Sequence, residues 1–251
     1  HRELMSTELG DVLWYTAAVA TAFGLDLDDV ARKNLKLTQD RYTTGADISS
    51  FAGLVIEDEC PATERLPRRL VFRFTERHEG DRRLTCLNLV EAEPNAFPDG
   101  PILGDDGKPK SGFSVGEQFG DCLTDNAHTE DGYRFHDAIH LGFLAVLGWS
   151  PIIRRLLLLK RRYRRDFDEN GDGARAGYAE EGLSAILARL AEERNSFKTE
   201  SDVDGDPLQV FRLATTGLEV SELPAWLWKR AIVHGFNAMT NLIENAGGYL
   251  I

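Results

Sequence analysis

Between Tyr133 and Leu147, apolar residues fall on nearly every side of a helical wheel. A helix apolar all round must be buried on all sides, so the neighbouring chain is expected to wrap it. Downstream, Leu183, Ile186, Leu187 and Leu190 recur at helical spacing and predict an amphipathic helix over Tyr178–Arg194. Pro151 stops or restarts the central helix, Pro207 suits the first turn of another, and Pro224 opens a last one running to about Asn245, before Gly247 and Gly248. With 251 residues, the chain can bury such a core without covalent staples. The apolar stretch from Phe143 to Leu159 is broken by Ser150, Pro151, Arg154 and Arg155, and falls short of the roughly 20 unbroken residues of a membrane span. No membrane partner is expected.

The front of the chain is also helical. Leu9, Val12, Leu13, Thr16, Ala20 and Phe23 form one stripe over Leu4–Phe23, and Gly24 stands where a helix would end in a left-handed turn. Asp26 then caps a shorter helix carrying Val30, Asn34 and Leu37, which ends before Gly45. Alternation over Leu70–Thr75 and Leu84–Val90, around Glu79, Gly80 and Asp81, predicts a β-hairpin. Prolines and glycines crowd the aperiodic stretch from Pro94 to Gly112, which places a boundary near residue 112. The expectation is a mainly α protein in three parts: residues 1–45, a connector with the hairpin and loop over 46–112, and a helical domain over 113–251.

Twenty-nine basic against 41 acidic residues give a net charge of -12, which argues against duplex nucleic acid as partner. Cys60, Cys86 and Cys122 are odd in number, widely spaced and without a CxxC, so they read as separate thiols of a reducing cytosol. With no basic-then-apolar leader at the start, the expected location is cytoplasmic. The basic cluster Arg154, Arg155, Lys160, Arg161, Arg162, Arg164 and Arg165 is expected to pair with the acidic loop after it. That loop imitates a calcium-binding loop through Asp166, Asp168 and Asn170, but its twelfth position is Gly177 where a bidentate Glu belongs.

Glu8 and Asp11 lie three apart on the first helix, and both project opposite the Leu9, Val12 and Leu13 stripe. The run Glu8-Leu9-Gly10-Asp11-Val12-Leu13-Trp14-Tyr15, followed by Gly24-Leu25-Asp26-Leu27, Asn34-Leu35-Lys36-Leu37 and Arg41-Tyr42, closely resembles the MazG-like nucleoside triphosphate pyrophosphohydrolases. The resemblance covers about the first 42 residues. It implies a helical bundle in which an ExxE and an ExxD motif hold magnesium, or manganese, against the triphosphate. Glu8 and Asp11 supply the ExxD as catalytic metal ligands, and the ExxE is expected upstream of His1. The implied reaction is hydrolysis of a nucleoside triphosphate to the monophosphate and pyrophosphate in a homo-oligomer, with Asn34, Lys36 and Arg41 as substrate contacts. Trp14 and Tyr15 read as core or dimer-interface aromatics.

A second constellation is Asp131-Gly132-Tyr133-Arg134-Phe135-His136-Asp137-Ala138-Ile139-His140. His136 and His140 share a face one turn apart, with Asp137 between them, a spacing that can bind one metal. Asp137 replaces the Glu of an HExxH protease, and its shorter reach argues against that chemistry. The His-Asp dyad is similar to that of the HD-domain phosphohydrolases, whose further ligands have no obvious counterparts here. Glu180 and Glu181, on the helix through Leu183, are candidates to complete an acidic site. Core histidines satisfied by Asp125, Asp131 or a helix carbonyl are the competing reading. Dyad and paired acids together resemble the C-terminal region that accompanies some MazG-like enzymes. Two alternatives to the pyrophosphohydrolase therefore stand: a metal-dependent phosphohydrolase centred on this helix, and a non-catalytic nucleotide-binding or interaction remnant.

Overall fold

The computed structural model describes residues 2–42, 59–93, 115, 116 and 118–251. They fall into two compact units, His1–Ala46 and Asp47–Ile251. The first unit holds α1 (Arg2–Ala22) and α2 (Leu27–Tyr42). Gly24, at φ +64°, turns the chain between them. The Asp26 carboxylate accepts from the amides of Asp28 at 2.7 Å and Asp29 at 3.2 Å, which satisfies two of the amides left over at the start of α2.

α2 does not cover the apolar stripe of α1. Within this unit the α1 stripe stands open, with Leu13 71% exposed, and Ala20 is the buried exception. Trp14 and Tyr15, read as core or interface aromatics, are exposed here and form an edge-to-face pair at 5.1 Å.

The second unit carries β1 (Leu70–Glu79), β2 (Arg82–Ala92), α3 (Asp137–Leu147), α4 (Pro151–Leu156), α5 (Ala174–Ala191), α6 (Gly205–Ala214), α7 (Ala225–Glu244) and β3 (Gly247–Leu250). Among the described residues the chain is mainly α. The three strands form one antiparallel sheet in the order β2-β1-β3. Pairing runs out to Glu79↔Arg82, four residues beyond the expected end of β1, and turns at Gly80, φ +61°.

β3 was not expected, because two glycines after a helix read as a stop. Here they are what allows the strand. A Cβ on Gly247 would stand 2.5 Å from the Phe74 carbonyl oxygen, so only glycine lets the chain press against β1. The hairpin thus shares a sheet with the end of the chain, and Phe72, Phe74, Leu87 and Leu89 enter the same core as the helices. The Pro/Gly-rich stretch over 94–112 and the boundary near 112 lie outside the described residues.

One reading of the cysteines is corrected. Cys86 and Cys122 form a disulfide, with Cys60 buried and outside it. Sequence spacing hid the pair, 36 residues apart. The stretch after Gln118 runs beside β2 through the bridges Asn88↔Gln118 and Thr85↔Leu123, and this brings the two Cα atoms to 4.3 Å.

The centre of the unit is α3 packed on α7, where Gly142 meets Gly235. A Cβ on Gly142 would lie 2.7 Å from the Gly235 Cα, and one on Gly235 2.9 Å from the Ile139 Cα, so the backbones touch. Ile139, Phe143, Trp149, Phe211 and Trp228 fill the surrounding core. Each such side chain contributes about 1.5–3 kcal/mol by leaving water.

The basic cluster pairs with acids. Arg161 reaches Asp172 and Glu219, each at 2.6 Å, Lys160 meets Asp168, and Arg165 meets Glu169. Phe167–Gly171 is a single π-helical turn, and the carboxylates of Asp166 and Asp168 are both engaged by basic side chains. Among the described residues no helix is long and apolar enough to cross a membrane.

Candidate functional site

The site begins where the chain enters α3. Gly132, at φ +83°, leads into a 3-10 turn, Tyr133–Phe135, and His136 then caps α3. Arg134 anchors this entry: its guanidinium holds Asp125 at 2.9 Å and Glu76 of β1 at 2.7 Å, and its amide donates to Asp125 at 2.8 Å. Asp131 accepts from the Tyr133 amide at 2.9 Å. Both acids offered as partners for core histidines are therefore engaged elsewhere.

His136 and His140 face α5 from successive turns of α3, and α5 presents Glu180 and Glu181 to them. The structure thus brings His136, Asp137, His140, Glu180 and Glu181 together. His136 Nδ1 donates to the Tyr133 carbonyl at 2.9 Å, and the Tyr133 ring stacks on its imidazole with 4.3 Å between centroids. His140 is fully buried and its Nδ1 donates to Glu180 Oε1 at 2.9 Å.

Glu180, also fully buried, accepts from the Ser150 hydroxyl at 2.6 Å and the Ile152 amide at 2.9 Å. The start of α4 therefore fixes the position of its carboxyl group. Glu181 Oε2 lies 3.5 Å from His140 Nε2 and 3.6 Å from His136 Nε2. His140 Nε2 has no hydrogen-bond partner.

The charges respond to one another. Burial pushes the His140 imidazole down, but the Glu180 carboxylate, its hydrogen bond and Glu181 together lift it to about 10. The facing His136 and His140 imidazoles hold the Glu181 carboxyl well below the usual carboxylate range. Burial pushes Asp137 up, against the pull of His136 and His140. Ligand atoms of His136, Asp137 and His140 lie within 4.8 Å of one another, close enough to share one cation. Sequence reading quoted Tyr133 and Ser150 without giving them a role and missed Ser184; all three brace the site. Ser150 before Pro151 has the form of a helix cap and was readable as one; Tyr133, whose hydroxyl meets Ser184 at 3.0 Å, became visible only through packing.

The first unit places its candidates differently. Glu8 and Asp11 stand exposed on α1, and neither enters an ion pair or side-chain hydrogen bond among the described residues. Two hard oxygen donors one turn apart and open to solvent fit a magnesium ion that keeps several waters. Asn34 is exposed on α2, where its carboxamide accepts from the Thr38 hydroxyl at 3.4 Å. Lys36 and Arg41 lie on α2 with side chains outside the described residues.

Compared with known proteins, residues 104–251 match the family model of the MazG C-terminal domain. No curated protein and no solved structure matches the chain.

Proposed function

The chain belongs to the MazG C-terminal domain family, a nucleotide pyrophosphohydrolase-like group, and from that premise we propose that it serves magnesium-dependent hydrolysis of nucleoside triphosphates to monophosphates and pyrophosphate. The observation that carries this reading is the ExxD pair: Glu8 and Asp11 are exposed together on α1, ahead of the matched domain. Magnesium, or manganese in its place, supplies charge neutralisation on the polyphosphate and an activated water. With the ion held there, net addition of water across the α–β phosphoanhydride would give the monophosphate, pyrophosphate and a proton released to solvent. Glu8 and Asp11 hold the cation, while Asn34, Lys36 and Arg41 contact the substrate. The exposed apolar face of α1 supports association with further helices, as in a homo-oligomer.

Pyrophosphate release by the full gene product, with magnesium or with chelator, tests this reading. Release should require the divalent ion and fall by about 10³-fold in Glu8→Gln and Asp11→Asn, or roughly 4 kcal/mol of transition-state stabilisation. Turnover that survives both substitutions would remove these residues from the chemistry.

A further inference from the structure

We propose that the start of α3 and the facing turn of α5 hold a divalent transition-metal ion, bound by His136 Nε2, Asp137, His140 Nε2 and Glu181, with Glu180 and the Tyr133 carbonyl orienting the two imidazoles. This site is independent of the magnesium assigned to α1. It lies in the other unit and is built from other donors.

The tautomers come first. A backbone carbonyl can only accept, so the 2.9 Å contact of His136 Nδ1 with the Tyr133 oxygen places the ring proton on Nδ1. Glu180 is fixed as an acceptor by the Ser150 hydroxyl and the Ile152 amide, so the 2.9 Å contact with its Oε1 likewise puts a proton on His140 Nδ1. In the neutral rings both Nε2 atoms then carry lone pairs, and both face Glu181. This is the arrangement in which metal-binding histidines are found: the second ring nitrogen is committed to a carboxylate or a carbonyl, which sets the ring's direction and raises its basicity.

Distances decide what occupies the gap. A charge-assisted N–H···O bond would close to about 2.7–2.9 Å. One Glu181 oxygen instead stands 3.5 Å and 3.6 Å from the two Nε2 atoms, and His140 Nε2 is fully buried without a hydrogen bond. Two donors each about 2.1 Å from a tetrahedral ion are separated by about 3.4 Å. The spacing is therefore that of ligands along the edges of a coordination polyhedron. Asp137 brings a second carboxylate within the same 4.8 Å cluster as the two histidines.

The donor set selects the ion. Two imidazoles with two carboxylates suit zinc, manganese, iron or cobalt, whereas magnesium and calcium prefer oxygen alone. Asp137 and Glu181 balance the two positive charges. Glu181 has 43% of its side chain exposed, so it forms the solvent side of the site through which the ion enters.

The test uses the 251-residue chain, stripped with a chelator and titrated with Zn²⁺ and with Co²⁺, whose visible absorption reports its coordination. One ion should bind per chain and resist a large excess of Mg²⁺. His136→Gln and His140→Asn should abolish binding. Glu180→Gln, which removes an orienting charge, should weaken it about 10- to 100-fold with unchanged stoichiometry. Glu8→Gln and Asp11→Asn should leave the titration unchanged, so this proposal and the pyrophosphohydrolase reading can fail separately. A folded chain that binds no ion, or that keeps its ion in both histidine variants, overturns the proposal. Should the histidine variants unfold, Glu181→Gln decides, because its side chain is part-exposed: wild-type affinity and an unchanged cobalt spectrum in that variant would equally overturn it.

Discussion

α1 and α3 both carry apolar runs with polar candidate ligands beside them, yet they meet opposite fates. On α1, Leu9, Val12 and Leu13 are 59–71% exposed, while on α3 Ile139, His140 and Phe143 are fully buried. The contrast governs how a polar atom can be read. An unpaired carboxylate on α1 is satisfied by water and says little about a ligand until the motif around it is known. The buried His140 Nε2 on α3 is out of water's reach and, with Glu181 no nearer than 3.5 Å, makes no hydrogen bond, a lack that costs the neutral ring about 1–3 kcal/mol. Burial turns a missing partner into a positive observation.

Truncation of one side chain in each helix would break that contrast most directly. Ile139→Ala should lower the unfolding free energy of the second unit by about 3 kcal/mol, through lost transfer energy and the cavity left behind. Leu13→Ala, on the open face of α1, should change stability by no more than about 0.5 kcal/mol. Denaturant melts measure both, and equal losses would mean that α1 is covered in solution. A smaller effect is expected at the helix crossing. Gly142→Val forces a side chain against the Gly235 backbone and should cost about 2 kcal/mol by overpacking, read as a lower urea midpoint with the slope unchanged.

pH sharpens the comparison further. His140 faces Glu180 and Glu181 of α5, with Asp137 and His136 beside it on α3, and its folded pKa is raised from 6.5 to about 10. Its contribution in the metal-free chain is therefore fully present below pH 6.5 and is lost as pH rises through the folded value. Thermal midpoints of the stripped chain should fall from pH 6.5 toward pH 10, and His140→Gln should flatten that fall. A midpoint that climbs over this range would contradict the assigned charge on His140.

Local signals were legible wherever a residue's role depends on near neighbours. Asp26 announces α2 because a short acid before an apolar period can meet the free amides of the next turn, and Gly80 announces the hairpin turn. The five residues on α3 and α5 could be named from helical spacing alone. Which atoms face one another could not, since 40 residues separate His140 from Glu180 and the fold between them decides the distance. The same reason hid the Cys86–Cys122 disulfide and the pairing of β3 with β1. Gly142 and Gly235 gave no warning either, because glycine inside a helix reads as a weakness until a second helix is seen lying against it.

That crossing has a mechanical consequence. With backbone against backbone, α3 is keyed into α7 like a tenon in its mortise and has no compressible side chain between them that would let it slide or rock. His136 and His140 thus project from a helix locked in place, whereas α5 is tied to its neighbours at this level by the side-chain hydrogen bonds Tyr133–Ser184 and Glu180–Ser150.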